Sequence, residues 1–396
     1  MSLTYSHRTA ARRRAGDAVA RSYPAQGPQP PRRPRQPPDR VYLVTLAALV
    51  SIGTIMVYSA TALEQGISQL LRMGVWLCLG TVGCLAGMYL PMRFWRRITP
   101  WLLVGTLILL ASLLVDGNPL AVTKNGATRW IGLPGGFTMQ PSELAKLAFV
   151  LFAAGLLERQ RELGHDALAV FLGVLGVFAF LIYKEPDLGT TLALGGTAFC
   201  MLIAAGVNWR RLAALFVAAA VLVGAAAWTT EHQRNRLLTW WNPWEYRLSG
   251  GMQTVMSWDA MARGGITGVG LGNSRAKMDN RLPEAETDFI FAVLAEELGL
   301  VGALTVVLLF CVLALRGYGI AARAPDRYSG LVAAGITSWI AVQAFLNIAV
   351  ATGTVPNTGV PLPFISAGGT SLVTVMTAAG IVLGISRHGR SARRRT

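Results

Sequence analysis

Acidic residues are scarce in this chain: 20 Asp and Glu stand against 36 Lys and Arg, and only 14% of residues are charged. Soluble domains carry roughly 25%, so this composition argues against a water-soluble globular protein. Histidine is equally thin. The four (His7, His165, His232, His388) are scattered, two of them in or near the tails, and there is no HExxH, nucleophile elbow or P-loop. That excludes a histidine-centred triad and leaves carboxylates, with or without a metal ion, as the groups able to move protons. The four cysteines (Cys78, Cys84, Cys200, Cys311) all sit in apolar runs, with no CxxC pair and no zinc-like His/Cys spacing, and read as small buried hydrophobes. No signal peptide opens the sequence. GVGLGNS (268–274) contains GxGxG but follows no strand and opens no βαβ unit, which rules out a dinucleotide site.

What the chain has is apolar sequence: 53% hydrophobic residues and a mean hydropathy of +0.46. Ten segments reach or approach the roughly 20 residues a helix needs to cross a bilayer: 41–61, 68–90, 99–116, 141–158, 166–183, 188–206, 210–228, 288–315, 329–352 and 365–386. Only helices satisfy the backbone of such segments in lipid, so the expected fold is all-α, a polytopic protein of ten transmembrane helices. The short loops orient it. MRFWRR (92–97), ERQREL (158–163), NWRR (208–211) and RGYGIAARAPDR (316–327) fall on one side, while the turns at 62–67 and 353–364 carry no Lys or Arg. The positive-inside rule then places both termini in the cytoplasm.

The net charge of +16 is concentrated in the tails: nine arginines lie in residues 1–40 and five in 387–395. Such placement suits anionic membrane lipids and does not suit nucleic acid. Residues 1–40, rich in Pro and Arg, read as a disordered cytoplasmic tail, 41–388 as the membrane domain and 389–396 as a basic tail. Two outer segments are long, 117–140 and 229–287. The second holds Trp240, Trp241, Trp244 and Trp258, which suits a segment lying at the membrane interface.

The few acids are grouped. RLPEAETDFIFAVLAEELG (281–299) holds Glu284, Glu286 and Asp288 before an apolar run, and Glu296 and Glu297 within it. PSELAKL places Glu143 and Lys146 three apart on one helix face, where they can pair. KEPDLGTT (184–191) sets Lys184, Glu185 and Asp187 between two spans. Each has a plain alternative: Asp187 and Asp288 can cap helices, and Glu143 can simply favour a helix N-terminus. Their convergence on the outer ends of spans four, six and eight points instead to a polar cavity open to the outer leaflet. Arg129, Lys146 and Lys184 are nearby cations of the kind a diphosphate needs.

The motifs NGATRWI (125–131), QPSELAKL (140–147), KEPDLGTT, GVGLGNS, LPEAETDFIFAVLAEELG (282–299) and TGVPLPFISAGGTSL (358–372) occur in this order. Together they resemble the SEDS family (shape, elongation, division and sporulation) across about residues 41–388. YSAT (58–61) and LPFISAGGTSL look more like its division and sporulation branch than its elongation branch. The resemblance implies a ten-helix fold and a peptidoglycan glycosyltransferase. Such an enzyme polymerises lipid II at the outer face of the bacterial cytoplasmic membrane and releases undecaprenyl diphosphate. It implies a septal role beside an FtsI-like class B penicillin-binding protein and other division proteins. It also implies Asp288 as catalytic residue, matched in LPEAETDFIF.

Expected substrate-binding residues are Arg129, Glu143, Lys146, Lys184, Glu185, Asp187, Glu284, Glu297 and Ser366. No cofactor is certain; a divalent Mg or Mn ion is a candidate. Glu286 stands where members often carry His, and Ala367 where a Tyr often precedes GG. A carboxylate close to Asp288 would raise its pKa. An elongation-type polymerase, a lipid II flippase and a non-catalytic scaffold are the alternative readings; the deeper Glu296 and Glu297 suit the flippase.

Overall fold

The computed structural model describes residues 36–389 except 116, 125–126, 160–164, 230, 249 and 278–281. The expected N-terminal tail before residue 36 and the basic tail from 390 lie outside the described residues. The helices are α1 (Arg40–Tyr89), α2 (Met92–Leu113), α3 (Pro141–Glu158), α4 (His165–Lys184), α5 (Leu188–Ala204), α6 (Trp209–Thr229), α7 (Glu231–Trp241), α8 (Met252–Gly264), α9 (Ile290–Ala322), α10 (Arg327–Ala351) and α11 (Gly369–Ser386). Helix covers most of each of the ten expected spans, the eighth starting at Ile290 and the tenth at Gly369. Among the described residues seven helical stretches are long and apolar enough to cross a membrane on those grounds alone; α5, at 17 residues, is apolar but shorter. The chain is a helical, multi-pass membrane protein.

α1 contains two of those stretches, Arg40–Ala60 and Leu71–Tyr89. A straight helix of 50 residues would run about 75 Å. Both ends of α1 nevertheless lie beside the end of α11. The Asp39 N–H donates to Ser386 Oγ (3.1 Å), and the Arg387 guanidinium lies 4.6 Å from the centre of the Tyr89 ring. α1 therefore doubles back between its two apolar stretches, although its backbone is helical through the turn expected at 62–67. Among those seven stretches α10 is the most enclosed, with 72% of its apolar window buried, against 22% for α4. It forms the axis on which the outer-face loops are anchored.

Two departures from the expected all-helical pattern matter for the outer face. First, β1 (Ala121–Lys124), β2 (Ala127–Leu133) and β3 (Phe137–Met139) form an antiparallel sheet in order β1-β2-β3, with Ile131 opposite both Ala121 and Met139. Its strands are only three to seven residues long, too short to stand out from a loop in sequence. Second, α9 is broken at Gly299 (φ 67°, ψ −170°), which leaves a short segment from Ile290 ahead of the long span.

The loop 264–270 repairs that break. The N–H groups of Val269 and Gly270 donate to the carbonyls of Glu296 and Glu297 (3.0 and 3.1 Å), which the first segment leaves open. The N–H groups of Leu300 and Val301, open at the start of the second, donate to Gly265 and Ile266 (2.9 and 3.2 Å). At φ +83°, Gly268 fits because it has no Cβ, which would collide with the Glu297 carbonyl. The glycines of GVGLGNS thus serve close backbone approach.

Trp240 and Trp258 also differ from a simple interfacial belt. Their indole N–H groups donate to the carbonyls of Gly353 (2.8 Å) and Thr352 (3.0 Å), docking the 229–287 segment onto the outer end of α10, while Trp241 stays exposed.

Candidate functional site

A cavity of about 950 Å³ lies at the outer end of the bundle. It draws on several outer elements: Arg72 and Trp76 of α1, Arg129 of β2, Gln140 before α3, Arg236 of α7, the 283–288 turn and the 357–372 loop. Asp288, Arg129, Glu284 and Ser366 all line it. This is the cavity the grouped acids led us to expect.

Asp288 caps no helix. The N-cap position of α9 is Phe289, without a side-chain hydrogen bond. Asp288 belongs to a turn in which its N–H and that of Phe289 donate to the Glu284 carbonyl (3.0 and 3.2 Å), with Glu284 itself at φ +58°. The 358–368 segment clamps this turn from the other side. Ser366 Oγ donates to the Thr287 carbonyl (2.6 Å), the Ala367 N–H donates to the Glu286 carbonyl (2.8 Å), and Gly359, at φ +71°, packs where a Cβ would stand 3.5 Å from Asp288 Oδ2. That segment is no simple external turn. Val360, Leu362, Phe364 and Ile365 are buried, and the Phe364 carbonyl presses on Gly53, where no Cβ would fit. Pro361 and Pro363, which lack an N–H and resist helix, suit such an irregular path within protein.

Burial first, then Glu284 and Asp187, raise the Asp288 carboxyl to about 7 against the opposing pull of Arg129 and Arg236. A carboxyl poised there is half ionised at neutral pH, which suits a general base. Burial likewise raises Glu185 to about 9, with Asp187 adding to the effect and Arg129 opposing it. Neither Glu185 oxygen has a hydrogen-bond partner. Glu185 is therefore neutral at pH 7 and does not cancel the charge of Arg129. Arg129 is held by neutral acceptors: its Nε donates to the Glu185 carbonyl (2.9 Å) and its Nη2 to the Pro186 carbonyl. The KEPD turn thus aims the arginine without neutralising it.

Several expected binding residues lie elsewhere. Asp187 is a buried N-cap of α5, bonded to the Thr190 N–H and hydroxyl (3.0 and 2.9 Å), and touches the cavity wall only through Gln140 Nε2 (3.1 Å). Glu143 and Lys146 form a pair at 2.8 Å with side chains 0% and 1% exposed, and they do not line the cavity. Lys184 is exposed at the end of α4, 5.7 Å from the Phe180 ring centre, and faces no cavity wall.

Glu297 is fully buried against Lys277 Nζ (2.9 Å) and Ser59 Oγ (2.8 Å). Glu296 accepts from Ser274 Oγ (2.5 Å) and from the N–H groups of Arg275 and Ala276. Both therefore bind the 264–277 loop to the broken helix instead of facing substrate. Sequence reasoning missed Arg236 and Arg72. Arg236 lies in EHQRNR, where nothing distinguishes it from Arg234; the fold brings it to the cavity by a bond from Nη1 to the Asn357 carbonyl (3.3 Å). Burial and the neighbouring Arg129 lower its proton affinity, and Asp288 and Asp187 raise it.

Among the described residues no group of three or more His, Cys, Asp or Glu side chains converges to hold a metal ion. The described residues do not fit a divalent cation held by the protein alone.

The family model FTSW_RODA_SPOVE, described as "Cell cycle protein", matches residues 39–391. The chain belongs to the FtsW/RodA/SpoVE family. Relatives within the family include the probable peptidoglycan glycosyltransferase FtsW of Geobacter metallireducens, 37% identical over 88% of this chain and 94% of its own length. Another is the stage V sporulation protein E of Bacillus subtilis, 38% identical over 89% and 98%. Among solved structures, a chain of a peptidoglycan synthase complex that coordinates polymerization and crosslinking superposes with a TM-score of 0.74 at 29% identity, covering 88% of this chain and 98% of that one. The rod shape determining protein RodA of Thermus thermophilus superposes at 0.65 with 27% identity, covering 89% and 96%.

Proposed function

We propose that this chain is a peptidoglycan glycosyltransferase that polymerises lipid II at the outer face of the cytoplasmic membrane, with Asp288 as general base. One observation carries the residue assignment. A carboxyl poised near pH 7 lines a 950 Å³ outward cavity together with Arg129 and Arg236. The acceptor sugar hydroxyl is a poor nucleophile until a base takes its proton. As Asp288 takes it, the hydroxyl oxygen bonds to the anomeric carbon of the growing strand, and the bond from that carbon to the diphosphate oxygen breaks. The lipid diphosphate departs with the bonding pair and gathers negative charge, so it needs fixed cations more than a proton. Arg129 and Arg236 face Asp288 and supply them.

The other assignments follow from family membership: septal synthesis, and a class B penicillin-binding protein that crosslinks the strands, with further division proteins nearby. The locked state of Glu296 and Glu297 counts against a flippase path through the bilayer.

The test is incubation of purified protein, with and without a class B penicillin-binding protein, with fluorescent lipid II, and separation of products on a gel. Glycan ladders support the proposal. Transfer of labelled lipid II across proteoliposomes with no ladder, partner present, overturns it in favour of transport.

A further inference from the structure

Two amides on α10 stand one helical turn apart and reach the loops that hold Asp288. Asn347 is 1% exposed, and its Nδ2 donates twice, to the main-chain carbonyl of Asp288 (2.9 Å) and to that of Val360 (2.8 Å). Gln343 is fully buried. Its Nε2 donates to the Pro361 carbonyl (3.0 Å), while its Oε1 accepts from Lys146 Nζ (2.7 Å) and Trp339 Nε1 (2.7 Å). Val360 and Pro361 flank the turn from Gly359, the residue that packs on Asp288 Oδ2.

Asn347 Oδ1 has no partner. Turning the amide over would set that oxygen against two carbonyl oxygens, so the observed orientation is forced. A buried amide oxygen without a partner is unfavourable, and natural cores contain few. An aliphatic side chain would spare that oxygen but leave the Asp288 and Val360 carbonyls without their donor. What Asn347 provides is one donor shared by two carbonyls, one on each of the segments that face each other across the acid.

We infer that Asn347 and Gln343 are positioning residues that fix where the Asp288 carboxylate stands against Gly359 and the cavity arginines, and that the Glu143–Lys146 pair acts on the site only through Gln343. This rests on Asp288 being the base. Neither amide touches the cavity, so their loss should alter the chemical step and leave lipid II binding intact.

The experiment measures kcat and KM for fluorescent lipid II against pH, together with thermal unfolding, for the full chain with its class B partner. Asn347→Ala is expected to lower kcat on the order of tenfold or more, the effect of misplacing a catalytic group by under 1 Å. KM should hold within about threefold, and the midpoint of the kcat profile should move. Gln343→Glu keeps the acceptor for Lys146 and Trp339 but sets an oxygen against the Pro361 carbonyl in place of the donor, so it should melt lower than the wild type, remain folded, and lose kcat.

Ser257→Ala is the control. It removes a buried bond of similar length to the Ala351 carbonyl at the end of α10 (2.7 Å), and should lower the melting temperature without shifting the pH midpoint. Wild-type kcat and midpoint in both amide variants overturn the inference, as does a rise in KM at unchanged kcat. If Asn347→Ala fails to fold, Gln343→Glu decides alone. Asp288→Asn run alongside separates the two ideas: if it is active, the base assignment fails; if it is inactive and the amide variants are normal, only this inference fails.

Discussion

Replacing Lys146 with methionine isolates what the buried Glu143–Lys146 pair does. Lys146 Nζ lies 2.8 Å from Glu143 Oε1 and 2.7 Å from Gln343 Oε1, with its ring neighbour Trp339 at 5.2 Å. Glu143 Oε2 already lacks a partner. Methionine fills a similar volume but leaves the Glu143 carboxylate without its counter-ion in a dry setting. Removing one member of such a pair costs about 3–5 kcal/mol, whereas removing both can be nearly neutral. Lys146→Met should therefore melt well below the wild type in detergent, and Glu143→Gln with Lys146→Met should recover most of the loss, to within about 1–2 kcal/mol. Because neither side chain lines the cavity, the double variant should keep its KM for lipid II. A double variant as unstable as the single refutes the pairing argument. A large rise in KM, with stability restored, returns Lys146 to the diphosphate.

Three further outcomes follow from the same geometry. The base form of Asp288 is the ionised one and burial raises its pKa to about 7, so kcat/KM should rise with pH to half its plateau near 7. It should fall about fivefold from pH 7 to pH 6; a flat profile over pH 5.5–8.5 refutes this. Arg236→Ala removes a charge that pulls that pKa down, so the midpoint should move to higher pH while catalysis weakens, read from the same pH series. Gly268→Ala forces a Cβ onto the Glu297 carbonyl at φ +83°, and should destabilise the protein by more than about 1 kcal/mol, seen as a lower melting temperature. A neutral substitution there would mean that the loop does not need to approach the broken helix.

The spans were legible because hydropathy and loop arginines report directly on the bilayer, and helix covers most of each of the ten segments. The outer-face cavity was legible because acids are rare in this chain and cluster at helix ends. Which acids face it was not. Asp288 and Glu297 look alike in LPEAETDFIFAVLAEELG, yet the break at Gly299 and the clamp of 264–277 lock Glu297 against Lys277. Sequence spacing along a presumed straight helix cannot register that break. Lys146 and Lys184 carry the charge a diphosphate needs, but one is paired inside α3 and the other, beside Phe180, does not line the cavity. Arg236 reaches the cavity through the Asn357 carbonyl, a contact between segments 121 residues apart, and no local pattern marks such a residue.

The central claim is that Asp288 performs the chemistry. It is tested most directly by adding fluorescent lipid II to wild type, Asp288→Asn and Asp288→Glu, each shown to be folded by its melting curve, with the class B partner present. The account predicts glycan ladders from the wild type, none from the asparagine variant at unchanged lipid II binding, and weak ladders from the glutamate variant. Full-length ladders from a folded Asp288→Asn would contradict it.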